Sequence, residues 1–144
     1  MILRKALVAV DLSSTSAKVV EFAFQYAGKT GLDSIDFIHV LEYHDQEIPL
    51  HSEFAARFDT DKVKQDVLDV IKKAVQKTGS SLAHNLYIKT GDPSKEIVKM
   101  AEKEKHDIIL IGHRGMSDLE EFFIGSVAAK VARHAPCDVL VHKP

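Results

Sequence analysis

Ala6-Leu7-Val8-Ala9-Val10 is a short apolar run, preceded by Arg4 and Lys5 and closed by Asp11, and the rest of the chain repeats its pattern. Comparable runs occupy 35–41, 86–88, 108–111 and 139–141. Several lack strict polar–apolar alternation, as expected for strands covered on both faces of a parallel sheet. Between them the apolar residues change period. Ala17, Val20, Ala23, Phe24 and Ala27 fall three or four apart, as do Val63, Val67, Val70, Ile71, Ala74 and Val75. Ile97, Val98 and Ala101 repeat this spacing, and so do Val127, Ala128, Val131 and Ala132. Each set makes one apolar stripe on a helix, with the charges on the other face. Ser13 and Ser14 are cap candidates for the first helix. Asp92-Pro93 reads as an N-cap followed by Pro at the first helical position. Gly28, Gly31 and Gly79 lie near helix ends, and Pro136 stops the last helix. The order β-α-β-α-β-α-β-α-β gives five strands and four helices. It implies an open, doubly wound α/β fold with a mainly parallel sheet and right-handed crossovers.

Composition sets the outer limits. The 144 residues suit a single domain over 1–144, and 45% hydrophobic content supports one sizeable core. Nineteen basic against twenty-one acidic residues leave a formal charge of −2, which argues against a general nucleic-acid-binding or polybasic membrane surface. The lone Cys137 excludes an internal disulfide framework and a four-thiolate zinc site. No apolar stretch nears the roughly 20 residues that span a bilayer. The run after Lys5 is too short for a secretory h-region, so the expected address is cytoplasmic. Residues 42–57 lack a clear period and read as a long loop with a helical turn around Phe54, a length that favours a binding loop over a mere link.

In an open α/β sheet, ligands bind beyond the carboxyl ends of the strands. Asp11, Val40, Leu41, Gly91 and Gly112 fall there. Gly112-His113-Arg114-Gly115 is followed, nine residues after Gly115, by Gly125-Ser126, which opens the last helix. Such a pattern can make an anion site. Gly112 and Gly115 can turn through positive φ and approach a ligand without a Cβ in the way. Gly125 and Ser126 stand at a helix N-terminus, where unpaired N–H groups and the dipole favour negative charge. The Ser126 hydroxyl adds a donor, and Arg114 can fork onto phosphate oxygens. Singly, each glycine marks no more than a strand exit or a helix start; together they make phosphate binding the better account.

Gly112-x2-Gly115-x9-Gly125-Ser126 resembles the nucleotide-binding signature of ATP-binding universal stress proteins. The resemblance extends to Val8-Ala9-Val10-Asp11, His39-Val40, Gly91-Asp92-Pro93 and the closing stretch from His134 to Val141. It implies a sheet of order 3-2-1-4-5, a homodimer, and ATP with its adenine between the ends of the first two strands. By that resemblance Ala9, Val10, Asp11 and Val40 line the adenosine pocket. Gly112, Gly115, Gly125 and Ser126 hold ribose and phosphates, and Ile111 and Val127 pack alongside. Asp11 is the candidate for ribose hydroxyls or a nucleotide-bound Mg²⁺. Asp118, Glu120 and Glu121 lie beside the expected phosphates and repel them unless they face solvent or share a metal ion. The last strand, Val139, Leu140, Val141 and His142, is an apolar edge that the family pairs across a two-fold axis. With His142 near that axis, two imidazoliums would repel below about pH 6.5.

Other chemistries are weaker. There is no Gly-x4-Gly-Lys-Ser/Thr, no Gly-x-Gly-x-x-Gly and no Gly-x-Ser-x-Gly, so Ser126, His113 and Asp11 make a poor hydrolase triad. Lys-Thr-Gly at 29, 77 and 89 has no Ser-x-x-Lys partner. His44, Asp45, Glu47 and His51 fit no metal-ligand spacing and read as solvated loop residues. His39 reads as a strand residue satisfied locally, and Cys137 as a small buried one. The expected function is an ATP-binding regulatory protein of stress response, acting through nucleotide-dependent conformation of 42–57 and 116–124 and through dimerisation. A slow Mg-dependent ATPase or nucleotidyl transferase is the first alternative. A nucleotide-free interaction module is the second.

Overall fold

A computed structural model describes residues 3–13, 15–42, 52–113 and 124–144, with the backbone alone for 52–59. The elements are β1 (Lys5–Ala9), α1 (Ser16–Thr30), β2 (Ser34–Leu41), α2 (Ser52–Thr78), β3 (Ala83–Thr90), α3 (Pro93–Lys103), β4 (Ile108–Gly112), α4 (Ser126–His134) and β5 (Asp138–His142). All neighbouring strands are parallel and the sheet order is β3-β2-β1-β4-β5. The expected class, order and alternation are those observed.

The period of two along each strand sorts side chains onto two layers. Ala6, Val8 and Val10 join Ile35 and Phe37 under α1 and α2, with Val20, Phe24, Val67 and Ile71 filling that core. Leu7, Ile38, Ile109 and Ile111 face the other way, against Ile97 and Met100 of α3 and Val131 of α4. The central strands β1 and β4 are covered on both faces, which is why their runs are continuously apolar. β3 is an edge strand and mostly exposed. Its polar ends, from Ala83 and to Thr90, therefore lengthen it beyond the apolar 86–88 that the sequence marks.

Three local expectations change. The first helix is not capped by Ser13: Thr15 occupies the N-cap without a side-chain bond, because the Ser13 hydroxyl is turned back onto Asp11 Oδ1. Ser14 lies outside the described residues. The long loop is shorter than its lack of period suggests, since α2 already begins at Ser52. Gly112 is the last residue of β4 and does not use a positive φ; among the described residues the glycines that do are Gly31, Gly79 and Gly91. Residues 43–51 and 114–123, with most of the expected binding loops and His44, Asp45, Glu47, His51, Arg114, Gly115, Asp118, Glu120 and Glu121, lie outside the described residues.

Among the described residues, no helix is long and apolar enough to cross a membrane.

Candidate functional site

The sheet order reverses direction between β1 and β4, and the carboxyl ends of β1, β2 and β4 open there onto a cavity of about 330 Å³. That volume lies in the range of small-molecule sites. Ala9, Val10, Asp11 and Val40 line it, as do Ile111, Gly112, Gly125 and Val127. Topology thus brings eight of the eleven candidate residues to one hollow. Ser126 is exposed as the first residue of α4 and is not among those lining the cavity.

The two halves of the glycine motif are drawn together by the backbone. The His113 N–H donates to the His142 carbonyl at 2.8 Å, and the Gly125 N–H donates to the His113 carbonyl at 2.8 Å. Gly112 and Gly125 are thereby held close together, and both line the cavity. Gly125 is the N-cap of α4, with φ −59° and ψ 154°, and it offers no capping side chain. The N–H groups of Ser126, Val127 and Ala128 consequently find no acceptor among the described residues. No acid occupies the first turn of α4, where one would offset the positive end of the helix dipole.

α3 is arranged differently. Asp92 caps it, its Oδ1 accepting from Ser94 Oγ at 2.7 Å and from the Lys95 N–H at 3.1 Å. Those hydrogen bonds, with Lys130 and Lys95 nearby, hold the Asp92 carboxyl below the usual carboxylate range. Pro93 at the first helical position needs no acceptor. Gly91 makes the turn into this helix at φ 143°, with its N–H on the Leu41 carbonyl at 2.9 Å. Of α3 and α4, α3 has a side-chain cap and α4 has none.

Asp11 is half committed. Its Oδ1 accepts from the Ser13 N–H at 3.0 Å and from the Ser13 hydroxyl, while Oδ2 has no partner among the described residues. His39, which the sequence marked as locally satisfied, points its Nδ1 to the Val10 carbonyl at 2.6 Å. His39, Thr15, Ser16, Ile97 and Ala128 also line the cavity and were not legible as site residues. Strand alternation could have found His39, since it follows Phe37 on the same face. The α1 residues Thr15 and Ser16 carry no motif signal.

Elsewhere, Cys137 is half-buried and free, and burial raises its thiol pKa, so it is a poor nucleophile at neutral pH. Among the described residues no cluster of His, Cys, Asp or Glu could hold a metal ion.

The model of the Universal stress protein family matches residues 3–143. The chain belongs to the universal stress protein family. Universal stress protein YxiE of Bacillus subtilis is 30% identical over 152 residues, covering 95% of this chain and 97% of that protein. Universal stress protein MJ0531 of Methanocaldococcus jannaschii is 40% identical over 79 residues, 55% of this chain and 45% of that protein. Among solved structures, UspA of Lactobacillus plantarum superposes with a TM-score of 0.80 at 22% identity, covering 98% of both chains. Two further universal stress protein structures share the fold. One, in complex with cAMP, has a TM-score of 0.66 at 24% identity and covers 99% of this chain and 98% of its own. The other, from Archaeoglobus fulgidus in complex with dAMP, has a TM-score of 0.64 at 22% identity and covers 98% of both.

Proposed function

We propose that this universal stress protein binds an adenine nucleotide, ATP, at the switch-point cavity and acts by that binding as a regulatory protein. The observation that carries this reading is the uncapped start of α4. Three amide hydrogens without acceptors among the described residues, at the positive end of a helix dipole, adjoin a hollow of nucleoside size. The phosphates would lie at Gly125–Val127, joined by Arg114 and Gly115. The ribose would meet Asp11 Oδ2, which could also take Mg²⁺ carried by the nucleotide, and the base would rest by Val40 at the end of β2. Relatives of the same fold have been solved with cAMP and with dAMP, both adenine nucleotides. Two copies of the chain would pair through the free edge of β5.

Thermal denaturation tests the reading. ATP at 100 times its dissociation constant stabilises by about 2.7 kcal/mol, which for a chain of this size raises Tm by roughly 5–11 °C. Gly125→Val places a branched side chain against the bare amides and should abolish the shift. A full shift in that variant would defeat the site assignment. ADP, AMP and cAMP run in parallel rank the nucleotides. Chromatography of ATP incubated with the protein and Mg²⁺ separates binding from turnover, and multiple turnovers lost in Asp11→Ala would favour the enzyme instead.

A further inference from the structure

A groove of about 250 Å³ lies between α3 and α4, lined by Lys95, Val98, Lys99 and Glu102 of the first helix and by Lys130 and His134 of the second. Pro93, Ile97, Val127 and Ala128 of the same helices line the switch-point cavity instead. The two hollows therefore draw on different residues. Lys95 and Lys99 stand one helical turn apart, as do Lys130 and His134, about 6 Å of rise in each case. All four are exposed. The Asp92 carboxyl, held low chiefly by its bonds to Ser94 and Lys95, also feels the charges of Lys130 and Lys95. Both ammoniums therefore stand toward the start of α3, and Lys99 and His134 follow one turn on.

Among the described residues Glu102 is the one acid lining the groove. Glu96, next to Lys95, is folded against Gly91 instead. Three ammoniums with one carboxylate make a cationic strip on a chain whose formal charge is −2. Stacking Lys95 and Lys99 on one face costs helix stability, because like charges at i and i+4 repel, and an anionic occupant offsets that cost. Val98, half-buried, adds an apolar contact to the strip. Lysine is a point charge without the planar fork of arginine, so the strip reads charge and spacing more than phosphate geometry. Cations one turn apart match carboxylates one turn apart on a helix laid into the groove. We propose that the α3–α4 groove docks an acidic helical segment of a partner protein, with carboxylates on successive turns and an apolar side chain on the same face.

Nuclear magnetic resonance titration of the full chain tests this with an alanine-based helical peptide bearing glutamate on successive turns and one leucine on the same face. It is run without nucleotide, so its outcome is independent of whether ATP binds. The amide signals of Val98, Lys99, Lys130 and His134 should shift at about 20 mM salt and shift less at about 300 mM. The same peptide with glutamine for glutamate should leave them in place. Reversing two groove charges, Lys99→Glu with Lys130→Glu, should weaken binding about tenfold or more. Glu102→Gln should tighten it, a gain that misfolding cannot produce. Lys72→Glu, at an exposed position on α2 across the sheet, should bind within about twofold of the wild type. Absence of shifts at the groove, shifts spread over the whole surface, or equal weakening in Lys72→Glu overturns the proposal. Binding to phosphatidylserine vesicles but not to the peptide, lost on reversing Lys99 and Lys130, assigns the strip to a membrane surface and also overturns it.

Discussion

The Nε2 atom of His106 lies 2.8 Å from Oδ2 of Asp36, with both side chains buried at the amino end of the sheet, opposite the cavity. Lys5 Nζ approaches the same carboxylate oxygen at 3.4 Å, and Asn85 Nδ2 donates to the other oxygen at 3.3 Å. Because a carboxylate accepts, Nε2 carries the proton of the neutral ring, and the buried Nδ1 is left bare without a partner. This pair ties β2 to the segment entering β4, across the one intervening strand β1.

Protonating His106 would add an N–H at Nδ1, which is buried and has no hydrogen-bond partner among the described residues. Burial accordingly lowers its pKa from the ordinary 6.5, against the opposing pull of Asp36 and Glu104 and in the same sense as Lys5. The unfolded chain then binds more protons than the folded one below about pH 6.5. Stability should therefore hold above that pH and fall as pH drops from 6.5 toward the lowered folded value. His106→Gln, which can still donate to Asp36 but cannot titrate, should show a shallower loss. Urea midpoints between pH 5 and 8 measure both slopes, and parallel slopes would refute the assignment.

The Asp92 cap gives a second prediction. Its carboxylate satisfies the Lys95 N–H of the first turn, and removing such a cap typically costs about 1 kcal/mol. Asp92→Ala should lower the urea-derived stability by that amount, and Asp92→Asn by less. Because the folded pKa is depressed below 3.8, the charge-dependent part of this stabilisation is present at neutral pH and lost as pH falls below that value.

Packing makes a sharper contrast. Phe37 is fully buried between the sheet and α1, its ring centroid 5.6 Å from that of Phe24. Phe37→Ala should cost about 3–5 kcal/mol. Leu68 on α2 is 38% exposed, and Leu68→Ala should change stability by about 0.5 kcal/mol or less. Equilibrium denaturation of the two variants distinguishes these outcomes directly.

The β5 edge carries the assembly prediction. Among the described residues β5 pairs only with β4, at the end of the strand order. Light scattering should find a dimer, and Val139→Lys should dissociate it without unfolding the chain. His142 is stacked on Phe22 of α1, with centroids 4.1 Å apart and planes 15° from parallel. Burial lowers its pKa, so any acid-driven dissociation through this residue should begin below its ordinary 6.5. A dimer fraction constant from pH 5 to 8 would remove His142 from the interface.

Much of this protein was legible along the chain. The run Ala6–Val10 and its repeats announced β strands, and the three-four spacing in 17–27 announced a helix, because each periodicity is a local consequence of backbone geometry. Alternation of the two then left few topologies, and the strand-end rule put Asp11, Val40 and Gly112 at one edge. The misread cap at Ser13 has the same physical origin in reverse: whether that hydroxyl serves α1 or Asp11 depends on where the end of β1 lies relative to the helix.

Tertiary structure alone decided the rest. His39 to Val10, Asp36 to His106 and Phe22 to His142 join residues 29, 70 and 120 positions apart. Sequence fixes which residues are apolar and at what period, since those signals act between neighbours. Which polar atom ends up facing a partner, and which is left bare beside a cavity, is set only when distant strands are brought into register and water is excluded from between them.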